Sequence, residues 1–149
     1  MNLIMAGEPG LKGLREALGT PEGAAVLNGL PRAFREGFAA WSDSVRVPDM
    51  PPGAVSLKAG LRPALWLLAE KAGCGLTADL KAMRPHQYVI ELSERLGLDP
   101  YREAGEGFVY FGEMPGEGER LIGFCTGGKD RVIRSETGKR YLTPPERGY

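Results

Sequence analysis

A chain of 149 residues with 42% hydrophobic, 26% charged and 8% aromatic residues has the balance of one ordinary globular domain, large enough to bury a core without disulfide or metal staples. Lysine plus arginine equals aspartate plus glutamate at 19 each, and this zero formal charge argues against a protein that coats nucleic acid or clings to a membrane through bulk charge. No apolar run nears a membrane span, and residues 1–10 lack the basic start and apolar core of a signal peptide, so a soluble cytoplasmic protein is expected.

With 22 glycines and 12 prolines the chain is cut into short elements. Residues 11–18 read as a first short helix. Thr20-Pro21-Glu22 is a helix start: a capping hydroxyl, a proline in the first turn and an acid at the positive end. That helix breaks at Pro31, resumes over 32–41 and stops at Ser42-Asp43-Ser44. A short strand is expected at 45–47. The stiff run PDMPPG, 48–53, marks the boundary between an N-terminal helical arm, 1–50, and an α+β body, 51–149, the two forming one compact unit.

Residues 54–58 read as extended and 62–71 as a helix, with Leu61, Ala64, Leu65, Leu68 and Ala72 on one side. Trp66 falls opposite them, packed under the N-terminal arm or serving as an exposed interface anchor; Trp41 and Phe38 of the arm are further interface candidates. Pro85 opens a helix to about Arg95, its stripe formed by Tyr88, Val89, Leu92 and Leu96, and Gly97 stops it. Beyond Asp99-Pro100 the stretches 108–111, 120–124, 131–134 and 140–143 read as strands between glycine-rich and charged turns, followed by a loose polar tail at 144–149.

The single histidine, His86, excludes a multi-histidine metal site within one chain and reads as a helix-end residue; no metal is expected. Cys74 and Cys125 lie far apart with no CxxC spacing and read as small apolar residues rather than as a bridge; a Cys125–His86 dyad has nothing but availability behind it. Thr126-Gly127-Gly128-Lys129 and Glu136-Thr137-Gly138-Lys139 place glycines beside a lysine but read as β-turns, not as phosphate loops. Glu91, Glu94 and Arg95 read as a solvated helix face.

Three blocks resemble the C-terminal domain of the aminoimidazole ribonucleotide (AIR) synthase superfamily, which includes a hydrogenase maturation factor, selenophosphate synthetase and thiamine-phosphate kinase. They are GLRPALWLLAEKAGCGL at 60–76, ELSERLGLDPYREAGEG at 91–107, and Ile122-Gly123 followed by 130–142. The resemblance implies an α+β fold, a mixed β-sheet packed with helices. It also implies that the ATP-binding, dimerising half of such proteins has no counterpart in the chain. Aligned on Gly60, the family's DxTxGG loop has Val55 in place of its aspartate, Leu57 in place of its threonine and Ala59 in place of its first glycine, so the oxygens that would hold magnesium or orient a phosphate are gone. Where family members carry a helix, only EMPGEGE (113–119) intervenes, which reads as a hairpin-like turn. The sheet face so uncovered is expected to be covered by the arm or by a second copy of the chain.

What the resemblance implies for the site is spare. Gly60, Arg62, Glu106 and Gly107 are the ligand-binding candidates, and Glu106 is the one catalytic candidate, with a backbone-holding role as its rival. The expected function is a catalytically incomplete small-ligand-binding or assembly module, a homo-oligomer or the mate of a separately encoded partner domain, with a small phosphorylated metabolite as ligand and no cofactor of its own. The alternative is a subunit of an ATP-dependent enzyme whose nucleotide-binding half, with ATP and magnesium, is a separate chain. A third reading takes the basic C-terminal third (Lys129, Arg131, Arg134, Lys139, Arg140, Arg147, with Tyr141 and Tyr149) as a surface for an anionic ligand or nucleic acid.

Overall fold

The chain opens with an apolar run, Leu3 to Ala6, that is wholly buried and forms the middle of a strand. In the computed structural model, which describes residues 1–145, this β1 (Asn2–Glu8) is followed by α1 (Leu11–Leu18), α2 (Pro21–Asn28) and α3 (Arg32–Ser44). Next come β2 (Val55–Ser56), a 3-10 turn (Leu57–Ala59), α4 (Leu61–Ala72), β3 (Gly75–Asp79) and α5 (Gln87–Leu96). Four strands finish the fold: β4 (Glu106–Gly112), β5 (Glu119–Thr126), β6 (Arg131–Ser135) and β7 (Gly138–Tyr141). Arg147 and Tyr149 of the expected tail lie outside the described residues. No helix among the described residues is long and apolar enough to cross a membrane.

The seven strands form one mixed sheet in the order β2-β4-β1-β5-β3-β6-β7, antiparallel throughout except for the β3–β6 pair. The α+β expectation therefore holds. The stretch 1–50 is not helical throughout, however: it begins with a strand that sits between β4 and β5. Val45 to Val47 have no strand partner, because α3 continues through Ser42 to Ser44. β3 is a second strand without a counterpart in the sequence reading.

Local signals set the helix ends where the residues provide them. Thr20 Oγ1 accepts the Gly23 N–H at 3.1 Å, as its place before Pro21 predicts. His86 caps α5 with Nδ1, which accepts the Tyr88 N–H at 3.1 Å, and Gly97 closes that helix in the left-handed conformation. α4 packs Leu61, Ala64, Leu65, Leu68 and Ala69 onto Leu3, Met5, Leu76, Ala78, Val109, Ile122 and Ile133 of the sheet. Ala72 is exposed, with Ala69 taking the buried place.

Trp66 does not lie under the helical arm. Its ring is partly buried beside the α4–sheet core and carries the Arg131 guanidinium 4.2 Å from its centroid. The arm's own apolar residues, Leu11, Leu14, Phe38 and Trp41 among them, form a second cluster with Val89 and Leu92 of α5.

Residues 113–118 are not a hairpin. β4 and β5 both run antiparallel to β1, so they are parallel to each other with β1 between them. The chain must return from Gly112, opposite Asn2, to Glu119, opposite Ala6. That is about four residues along the sheet and two strands across, roughly 16 Å, which an extended linker of this length spans at ~3.3 Å per residue. Glu119 fastens the return: its Oε1 accepts the Tyr110 hydroxyl at 2.6 Å and the Gly116 N–H at 2.7 Å. That hydrogen bond, with burial behind it, pushes the Tyr110 phenol up to about 12. On the sheet face away from α4, Leu121 and Phe124 stay exposed.

Candidate functional site

The strand registers bring a set of chain ends to one edge of the sheet. Glu8 lies opposite Glu106, Ala6 opposite Glu119, Asp79 beside Arg134, and Ser135 opposite Gly138. The carboxyl ends of β1, β3 and β6 thus meet the amino ends of β4, β5 and β7. In open parallel α/β sheets ligands sit in crevices beyond the carboxyl ends of the strands, and β3 with β6 is the one parallel pair here whose carboxyl ends lie at this edge.

At this edge a cleft of 760 Å³ is lined by Asp79, Lys81, Arg84, Tyr101, Arg134 and Thr137. A smaller hollow of 270 Å³ adjoins it, bordered by Arg62, Ile133, Lys139 and Arg140 and sharing Leu80, Ser135 and Thr137 with the cleft. Among the described residues none of Lys81, Arg84, Arg134, Lys139 and Arg140 forms an ion pair. Arg62 is mostly buried, its Nε lacks a hydrogen-bond partner, and its one carboxylate contact is Asp99 at 3.5 Å. Tyr101 stands half-buried between these cations. Burial raises its phenol pKa, the Arg84, Arg62 and Arg120 charges pull it down, and Asp99 adds to the rise. Arg62 has given up most of its solvent, whereas Lys81, Arg84, Arg134, Lys139 and Arg140 are exposed, and Asp79 and Glu136 share the cleft lining with them. The unpaired cations outnumber these carboxylates, a balance that favours an anion.

A second polar group sits at the end of β1. Glu8 Oε2 accepts the His86 N–H at 3.1 Å, and Oε1 faces Arg120 Nη2 at 3.4 Å. Arg120 also donates to the Arg84 carbonyl at 2.9 Å, so β1, β5 and the 80–86 loop are tied together. Burial raises the Glu8 pKa, against the lowering effects of the His86 amide and the Arg120 charge. The His86 ring stacks on Trp41 at 4.1 Å.

The residues expected to form the site divide between two jobs. Arg62 reaches the basic edge. Gly60 instead lets the backbone pass Arg102, whose carbonyl oxygen would lie 2.6 Å from any added Cβ. Glu106 accepts a hydrogen bond from Arg15 Nη1, and Arg15 holds Ser42 through its hydroxyl at 3.0 Å and its carbonyl at 2.6 Å. This clamp fastens α1 and α3 to the start of β4 and points Glu106 away from the cleft lining. Gly107 pairs with Gly7 across the β1–β4 ladder. Val55 pairs with Val109, and Leu57 is fully buried while its carbonyl receives the Gly60 and Gly105 amides. The loop is built of hydrocarbon and its own backbone.

The interface candidates are likewise engaged: Trp66 by Arg131, Trp41 by His86, and Phe38, 6% exposed, inside the helical cluster. The basic surface is split, since Arg131 reaches Trp66 and Glu70 on the α4 side, whereas Arg134 stands over Phe124 on the other face. Cys125 contacts Cys74, with Sγ atoms 3.3 Å apart, and not His86. Among the described residues no three of His, Cys, Asp and Glu gather as metal ligands. Lys81, Arg84, Tyr101, Glu8 and Arg120 went unread in the sequence. The KAMRPH run after β3 and the Tyr after GLDP are the signals that point to Lys81, Arg84 and Tyr101.

No family model matches the sequence and no curated protein matches it. Solved structures do match. HypE of E. coli, a hydrogenase maturation protein, is 22% identical with a TM-score of 0.60 over 97% of this chain and 49% of that one. A HypE structure in complex with ATP gives 17% identity and a TM-score of 0.61 over 96% of this chain and 50% of that one. Thiamine monophosphate kinase from Aquifex aeolicus gives 16% and 0.56 over 93% and 51%. At these identities the likeness is one of fold, and this chain spans about half the length of the chains it matches.

Proposed function

We propose that the chain is a catalytically incomplete AIR synthase-like module that binds a small anionic ligand, a phosphorylated metabolite in class, at the basic edge of its sheet. The observation that carries this reading is the cleft itself: Lys81, Arg84 and Arg134 line it without ion pairs, beside Asp79 and Glu136, with Arg62, Lys139 and Arg140 in the adjoining hollow. The incompleteness rests on Val55 and Leu57, whose side chains offer no oxygen to a phosphate or to magnesium. Binding an anion is what this excess of unpaired cations does best.

A thermal-shift series with inorganic phosphate, pyrophosphate, AMP and ATP tests the reading. An anion at 100 times its Kd adds about 2.7 kcal/mol, a rise of roughly 5–10 °C for a chain of this size. The double variant Arg84→Gln, Arg134→Gln should abolish that rise while keeping the unliganded Tm within a few degrees. No shift with any anion, or equal shifts in the variant, would refute it.

A second reading has the chain as one subunit of an ATP-dependent enzyme, its nucleotide-binding half on a separate polypeptide seated over the same edge. What favours it is the half-length match to chains that include a HypE crystallised with ATP. Co-purification of a second chain with magnesium-dependent ATP turnover, absent from either chain alone, distinguishes it from the first.

A further inference from the structure

The two cysteines, 51 residues apart in sequence, are brought side by side by the β3–β5 pairing. Gly75 lies opposite Thr126 and Leu76 opposite Cys125, so Cys74, just before β3, is the diagonal neighbour of Cys125 on the α4 side. Their sulfurs stand 3.3 Å apart in a thiol–thiol contact, and both residues are partly exposed. We propose that Cys74 and Cys125 are a reversible modification site, closing to an intramolecular disulfide by exchange with a small aliphatic disulfide.

The sulfurs must close by about 1.3 Å to reach bonding distance. The chain around them has room for that: Cys74 sits in the short joint between α4 and β3, and the space where side chains would stand at Gly73, Gly127 and Gly128 is empty to 4 Å. Both backbones are anchored, the Cys125 amide by the Met1 carbonyl at 2.8 Å and the Cys74 amide by the Ala69 carbonyl at 3.1 Å, so closure falls mainly to side-chain rotation.

The exchange balances without any further reagent. One protein thiolate attacks a sulfur of the small disulfide RSSR; a protein–SR bond forms and RS⁻ leaves. The second cysteine, deprotonated, attacks the protein sulfur of that mixed disulfide and expels the other RS⁻. Two protein thiols are oxidised, one RSSR is reduced to two RSH, and the two protons end on the leaving thiols. Burial, then the hydrogen bond and charge of Cys125, push the Cys74 thiol up to about 11, with the Arg131 guanidinium pulling the other way. Exchange is accordingly slow at neutral pH and quickens as pH rises.

The test uses the full chain with oxidised glutathione, beside Cys74→Ser and Cys125→Ser checked for native circular dichroism. Intact mass and thiol titration after denaturation are the readouts. The wild type should lose both thiols with no glutathione attached and remain a monomer on a non-reducing gel, and dithiothreitol should restore both thiols. Each single variant should retain one glutathione adduct. Because the second thiol acts at an effective concentration in the millimolar range or above, the closed form should exceed the doubly glutathionylated form by roughly tenfold or more at millimolar glutathione. Two retained thiols after prolonged treatment at pH 9, two glutathione adducts, or a disulfide-linked dimer would each overturn the proposal. None of these outcomes bears on the anion cleft at the other end of β3.

Discussion

Replacing Gly107 by alanine separates a structural glycine from a ligand-binding one. Gly107 has φ +127°, a conformation closed to side chains, and it faces Gly7 across the central β1–β4 ladder. An added Cβ would lie 1.9 Å from the Ala6 carbonyl oxygen and 2.8 Å from its carbon. Both atoms are backbone, so the strands themselves must part by more than 1 Å. Backbone strain of this kind contributes about 1–3 kcal/mol. One or two ladder hydrogen bonds lost nearby add about 1 kcal/mol each. The sum, about 2–5 kcal/mol, is a large share of the 5–15 kcal/mol that holds a typical domain. In urea the midpoint should fall by roughly 2 M with little change in slope. Gly7→Ala should do the same, since its Cβ would meet the Glu106 carbonyl oxygen at 1.9 Å. The double variant should be less destabilised than the sum, because one parting of the strands accommodates both methyls. Gly53→Ala, at φ +83° with nothing within 4 Å, isolates the backbone component and should show the smaller effect. A Gly107→Ala protein within 1 kcal/mol of wild type would refute the close approach and return Gly107 to the ligand.

The Arg15–Glu106 clamp predicts an asymmetric double-mutant cycle in chemical denaturation. Glu106→Gln should remove less than about 1 kcal/mol because both partners are about a third exposed. Arg15→Met should remove about 1–3 kcal/mol because it strands the buried Ser42 hydroxyl; equal losses from the two variants would contradict the clamp. Glu8 predicts a pH dependence of stability. Its folded pKa lies above the ordinary 4.5, so the folded state binds the proton more tightly. Its contribution is therefore fully present below 4.5 and disappears as pH rises through the raised folded value. Glu8→Gln should flatten that part of the Tm–pH curve, and an unchanged curve would count against the buried setting of Glu8.

The elements legible in the sequence are those whose environment changes along their own length. α4 and α5 bury one side and so carry a helical stripe, and β4 to β7 are set off by glycine and charge at each turn. β1 and β3 were illegible for the opposite reason. β1 is covered on both faces, so Leu3 to Ala6 form an unbroken apolar run rather than an alternation, and GLTAD of β3 is short and carries small residues. Missing β1 also hid the crossover, because 113–118 look like a hairpin until a strand is placed between β4 and β5.

The same two strands explain what was and was not visible of the site. The cleft draws Lys81 and Arg84 from the loop after β3, Tyr101 from the GLDP block and Arg134 from β6. Only the parallel β3–β6 pairing, with Asp79 beside Arg134, brings these distant segments to one place. A motif comparison reads contiguous residues; it reaches Arg62, which borders the hollow beside the cleft, and Glu106, whose oxygen belongs to Arg15. Glu8, at the end of the unrecognised strand, is the carboxylate that burial raises at this edge. It is held by Arg120, which also binds the carbonyl of the cleft residue Arg84. A ligand that draws Arg84 inward therefore pulls on the Glu8 network. Anion binding and the Glu8-dependent part of the stability curve should shift together in Arg120→Lys, which keeps the charge but not the reach of the guanidinium.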